Sequence, residues 1–218
     1  MKEYNQMSDN CSKFLLFIRH GEYSRQPDVF ADDFQAGLTP LGRTQAEKTA
    51  TAALKFDADT VITSDFLRTV ETAEIISNHI GINVISDIQF RERAFPTLYG
   101  KTRSEVANIL PREDFDMMIN GNSDNIQLEG AETLLESQQR VKHAVDKVLK
   151  QYGQRIIVVS HGGLHGLLCS QVLSRSKLNN RIFPLGLARM SLFKFDSNGI
   201  FCSLGFLNSG NIPTNYIK

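Results

Sequence analysis

The sequence predicts a three-layer α/β fold, with helices on both faces of a mostly parallel central sheet. Short apolar runs alternate along the chain with amphipathic stretches of helical period, the pattern of successive β-α units. One of those runs, Ile156-Ile157-Val158-Val159, is β-branched and has no polar alternation, as a central strand covered on both faces requires. The chemistry-bearing residues follow strand ends, where open parallel sheets place their ligands.

Phe14 to Ile18 (FLLFI) is the first expected strand. Thr39 and Pro40 supply an N-cap and a first-turn proline for a helix whose apolar side runs through Leu41, Ala46, Ala50, Ala53 and Leu54. Thr60 to Thr63 is a second short strand. Ser64 is then placed to cap a helix with Asp65 in its first turn and Phe66, Val70, Ala73, Ile76 and Ile80 on one side. A third strand is expected around Asn83 to Ile85.

After the turn-rich RERAFPTLYG comes a stretch of weak periodicity, residues 101–130, expected to be an inserted rim of a single domain spanning 1–218. Thr133-Leu134-Leu135-Glu136 has the form of a capping box, and Val141, Val145, Val148 and Leu149 extend its helix to about Lys150, before Gly153. The central strand of residues 156–159 follows. Arg189 to Phe195, a turn at Asp196-Ser197-Asn198-Gly199, and Ile200 to Leu204 are expected to close the sheet as a hairpin.

With 218 residues, 41% of them hydrophobic, the chain is long enough for a substantial core. Its 24 basic and 24 acidic side chains cancel, so no overall field draws it to nucleic acid or an anionic membrane. The polar start MKEYNQMSDN and the brevity of the apolar run before Arg19 fit neither a signal peptide nor a membrane span. A cytoplasmic location is the expectation. Cys11, Cys169 and Cys202 are odd in number, widely separated and unlike a metal-ligand set, which suits a reducing compartment.

Three strand ends carry the candidate chemistry. FLLFI delivers Arg19 and His20; TVIT leads through Ser64 to Arg68 in a helix's first turn; IIVV delivers Ser160 and His161. Converged, two guanidinium groups, two imidazoles and helix starts suit a phosphoryl group, whose oxygens an arginine matches bidentately. Gly21, Gly162 and Gly163 remove side chains where backbone is expected to approach the anion. A first-turn cation opposes the helix dipole, which disfavours a plain pairing of Arg68 with Glu71 or Glu74.

His161 and His165 are four apart, but no third ligand or HExxH-type base accompanies them. No metal is expected, and His165 fits better as a packed helix residue. His79 and His143 fall on helices as solvated or structural residues. For a general acid, residues alone leave Glu22, Glu92 and Glu129 open.

IRHGE, LTPLGRTQAE, TSDFLRTVETAEII, FRERAFPTLYG and VVSHGG stand in an order that resembles the histidine phosphatase superfamily, the group containing the cofactor-dependent phosphoglycerate mutases. The resemblance covers most of the chain and implies a phosphoglycerate mutase-like fold. It implies that His20 is the nucleophile that accepts the phosphoryl group, that Arg19, Arg68 and His161 hold its oxygens, and that Glu92 is the proton donor. Gly21, Gln26 and Gly162 would line the same site. No cofactor is implied. The substrate would be a phosphorylated small molecule or a phosphoprotein, and a homodimer stays open.

Mutases of this group resemble one another in extra basic residues within the inserted segment. Here Lys101, Arg103 and Arg112 are opposed by Glu105, Glu113, Asp114, Asp116, Asp124 and Glu129, which favours a phosphatase. Tyr23 and Gln26 depart from the frequent RHGETxxN, and a tyrosine at this place is reminiscent of the protein-dephosphorylating branch. The alternatives are mutase-type phosphoryl transfer and a phospho-ligand binding domain without catalysis. Retention of His20, Glu92 and His161 argues against the second.

Overall fold

The computed structural model describes residues 11–24, 28–29, 34–119, 126–173 and 183–213. Gln26, Asp124 and the ends of the chain lie outside these. Among the described residues six strands form one sheet: β1 (Lys13–Arg19), β2 (Thr60–Thr63), β3 (Val84–Ser86), β4 (Arg155–Ser160), β5 (Met190–Phe195) and β6 (Phe201–Ser209). Their order is β3-β2-β4-β1-β5-β6. The first four in that order run parallel, and β5 and β6 are added antiparallel.

Residues 155–160 lie at the heart of this sheet, and their lack of alternation has its reason in the two cores. Ile156 and Val158 join Leu15 and Phe17 against helices α5 (Leu134–Gln151) and α6 (Gly162–Val172). Ile157 and Val159 join Leu16 and Ile18 against α1 (Pro40–Ala53) and α2 (Leu67–Ile80). Both faces are therefore dry, and a polar residue on either would be buried without water.

Several ends follow the sequence signals closely. The Thr39 hydroxyl accepts from Gly42 N at 3.0 Å with Pro40 in the first turn of α1. Thr133 and Glu136 close a reciprocal capping box on α5. The β5–β6 turn is held by Asp196 Oδ1, which accepts from the amides of Asn198 and Ile200, with Gly199 at φ +81°.

Other expectations need correction. Leu41 and Leu54 sit at the two ends of α1 and are exposed; the helix packs instead through Ala46, Ala50 and Ala53, small residues that let it lie close. Helix α2 starts at Leu67 with Phe66 as a cap lacking any side-chain bond, so Ser64 and Asp65 precede the helix. The described residues of the 101–130 stretch include two helices, α3 (Arg103–Ile109) and α4 (Arg112–Ile119). They build a small separate core from Leu98, Val106, Leu110, Met118 and Ile126.

Because Ile157 is fully buried in the central strand, Ile157→Ala is expected to lower unfolding free energy by about 2–5 kcal/mol. Thr133→Ala, which removes one cap, should cost about 1 kcal/mol. Denaturant midpoints at unchanged slope check both, and equal effects would contradict this description of the core.

Candidate active site

Parallel pairing of β1 with β4 sets Arg19 opposite Ser160, so the residues that follow, His20 and His161, leave the sheet side by side. The His20 amide continues the ladder to Ser160 O at 3.1 Å, and the two rings stand edge to face with centroids 5.3 Å apart. The helix after β1 lies on one face of the sheet and that after β4 on the other. The crevice between such strands is where open α/β sheets bind ligands.

His20 is 3% exposed and its Nδ1 lies 2.8 Å from Gly21 O. A carbonyl only accepts, so Nδ1 carries the proton and the lone pair is on Nε2. Gly21 itself is fixed by its amide, which donates to Thr72 Oγ1 at 3.1 Å. Arg19 donates through Nη1 to Leu185 O at 2.7 Å. Arg68 is buried in the first turn of α2, its guanidinium carbon 4.5 Å from the Tyr23 ring centre and 4.6 Å from that of Phe66. Stacking between two rings fixes the plane of the fork.

Ser64, displaced from the cap role, serves His161 instead. Its hydroxyl lies 2.9 Å from His161 Nε2 and 2.7 Å from Thr69 Oγ1, while the Thr69 hydroxyl donates to the carbonyls of Phe66 and Ser64. With the Thr69 proton used on carbonyls, the Ser64 proton goes to Thr69 Oγ1, and Ser64 accepts from His161 Nε2–H. Neutral His161 then presents an unprotonated Nδ1, a buried atom without a hydrogen-bond partner among the described residues. Burial, followed by the fields of His20, Arg68, Arg19 and Arg140, holds this imidazole well below the ordinary histidine range. The three arginine charges are positive, so the field at His161 favours an anion.

The expected glycines each make room for other atoms of the protein. A Cβ on Gly21 would lie 2.6 Å from Gly42 O, so Gly21 makes room for the start of α1. One on Gly162 would meet the Arg19 guanidinium at 3.2 Å, and one on Gly163 would meet Glu92 Oε1 at 2.4 Å. The last two thus clear space for side chains of the site. Glu92, in the loop after β3, accepts from Gly163 N at 3.0 Å through Oε2 and from Arg93 N at 3.1 Å through Oε1. That places it at the start of α6, beside His161.

His165, by contrast, turns into the core. Its ring packs on Phe17 and Phe193 and bonds Ser191 Oγ at 2.9 Å, with burial lowering its pKa to about 4. His79 pairs with Glu47 at 2.6 Å on the surface. Of the residues named from sequence, Arg19, His20, Arg68, His161, Gly21, Gly162 and Glu92 are gathered here. Ser64 and Thr69, missed as site residues, lie in the same TSDFLRT block.

The family profile of the histidine phosphatase superfamily (branch 1) matches residues 15–206. The chain belongs to the histidine phosphatase superfamily. A Hydrogenobacter thermophilus protein named after phosphoserine phosphatase is 30% identical over 162 residues, covering 72% of this chain and 77% of that one. A Yersinia enterocolitica protein named after phosphoglycerate mutase is 33% identical over 166 residues, with 73% and 74% covered. Among solved structures, a mycobacterial glucosyl-3-phosphoglycerate phosphatase superposes at TM-score 0.76 and 21% identity, covering 90% of this chain and 99% of the other. The α-ribazole phosphatase from Shigella flexneri gives 0.76 at 22%, with 92% and 98% covered. At that identity these two speak for the fold: α/β, with a mostly parallel sheet like that of the phosphoglycerate mutase-like phosphatases. Among the described residues no helix is long and apolar enough to cross a membrane.

An unprotonated Nδ1 repels an oxyanion, so an entering dianion should bring a proton to His161, whose pKa it raises. Sulfate, a dianion throughout this range, should therefore bind more tightly as pH falls from about 8 to 6. Calorimetry in buffers of different ionisation enthalpy should show proton uptake that persists in His20→Asn. Sulfate binding that is independent of pH and takes up no proton would contradict this tautomer.

Proposed function

We propose that the protein is a phosphatase that hydrolyses a phosphomonoester through a phosphohistidine on His20. In the first step the Nε2 lone pair attacks phosphorus in line; the N–P bond forms as the ester O–P bond breaks, and protonated Glu92 gives its proton to the leaving alcohol. In the second, the Glu92 carboxylate takes a proton from water, whose oxygen attacks phosphorus and frees His20 as phosphate departs. Arg19, Arg68 and His161 carry the charge on the non-bridging oxygens. These roles call for neither a metal ion nor a cofactor.

The observation that supports this most is the tautomer of His20. A nucleophilic imidazole needs its lone pair on the nitrogen facing the pocket, and the 2.8 Å contact to Gly21 O puts it on Nε2. A domain that merely held phosphate would gain more from a donor there. Hydrolysis is favoured over mutase transfer by the rim, where Arg112 is paired with Asp116. We further propose that 101–130 forms the rim of one domain covering the chain, and that the substrate is a small molecule.

Rapid-quench labelling should trap covalent phosphate on His20, and His20→Ala should abolish it; most activity surviving in that variant would overturn the reading. Glu92→Gln should lower kcat on an alkyl phosphate by about 10²- to 10⁴-fold. Gly163→Ala should act in the same direction, since its Cβ would occupy the place of the Glu92 carboxylate. Labelling without turnover until a phosphate acceptor is added would instead identify a mutase.

A further inference from the structure

Resting on the phosphatase reading above, we propose that the alcohol part of the substrate carries an aromatic ring, held against Tyr99 and Phe34 at the mouth of the pocket. A continuous series of rings leads outward from the phosphoryl site. His161 touches Phe66 edge to face at 5.0 Å, Phe66 meets Phe34 at 4.4 Å, and Phe34 meets Tyr99 at 5.6 Å. Tyr23 and Phe66 at the inner end are buried, whereas Phe34 and Tyr99 at the outer end keep part of their surface open.

The position of Tyr99 ties this wall to the leaving group. Tyr99 meets Phe34, which meets Phe66 beside His161, and its phenol feels the charges of Arg68, Arg91 and Glu92. The alcohol must sit near Glu92 if that residue is to protonate its oxygen. Burial keeps the phenol protonated, so Tyr99 brings no charge against the phosphate.

Several described cations around these rings are already committed. Arg91 lies over Phe34 at 4.9 Å and is gripped bidentately by Asp65, with Nε to Oδ1 at 2.6 Å and Nη2 to Oδ2. Arg140 holds both oxygens of Glu132 at 2.6 Å each, and Arg93 donates to the carbonyls of Glu132 and Ile126. Arg43 is paired with Glu71. A carboxylate held by any of these would have to displace its partner, whereas an aromatic ring needs no cation.

The test compares esters whose leaving oxygens are chemically alike: 2-phenylethyl phosphate, ethyl phosphate and phosphoserine. The phenylethyl ester should show about tenfold higher kcat/KM than either of the others, the scale of one aromatic stacking contact. Tyr99→Ala and Phe34→Leu should each shrink that ratio. Wild-type binding of 2-phenylethylphosphonate and ethylphosphonate, measured by calorimetry, should show the same preference without relying on any variant or on turnover. Equal values across the series, or preference for phosphoserine, would overturn the proposal while leaving the phosphatase reading intact. Preferential phosphonate binding without any ester hydrolysis would support the aromatic site and sink the phosphatase reading instead.

Discussion

Main-chain pairing of β1 with β4 in a single register is the constraint on which the rest of the site depends. It sets Arg19 level with Ser160, and from that level edge His20 and His161 emerge as neighbours. A slip of one residue would turn each side chain to the opposite face. Such a slip is opposed on both sides at once, because Leu15 and Phe17 fill one core while Leu16 and Ile18 fill the other. The apolar run is therefore more than a strand that happens to precede polar residues: its burial fixes where those residues stand.

From that edge outward, the site is built by close approach. Gly21 admits the start of α1, Gly162 admits the Arg19 guanidinium, and Gly163 both admits Glu92 and donates its amide to it. Histidine orientation is set by neighbours that never meet phosphorus: a carbonyl at His20, and the Ser64 and Thr69 hydroxyls at His161. Removing charge-holding contacts of this kind changes which protonation state a ring presents before any substrate arrives.

Much of this was legible in the sequence, and the limits have physical causes. Strand ends and helix caps such as Thr39 and Thr133 depend on a few adjacent residues, and local patterns gave them well. Ser64 looked like a cap because serine before an apolar run usually is one; its bond to His161 spans 97 positions and no local pattern contains it. Helix α3 passed as irregular although Thr102 and Glu105 form a capping box, since a seven-residue helix offers too little periodicity to register. The glycines were visible, but what each makes room for is a matter of packing. Glu92 needed the family resemblance, because nothing in FRERAF says that its carboxylate meets the amide of Gly163.

The chemistry we propose is a pair of in-line displacements at one phosphorus atom, first by His20 and then by water. Each displacement inverts the phosphoryl group, so two in succession restore its configuration, whereas direct attack by water would invert it once. The decisive measurement is the stereochemical course of hydrolysis, using an ester made chiral at phosphorus with oxygen isotopes and sulfur and cleaved in isotopically labelled water. Overall retention is the outcome expected of a phosphohistidine on His20. Overall inversion would mean that water attacks the ester directly, and would contradict the central role given to that histidine.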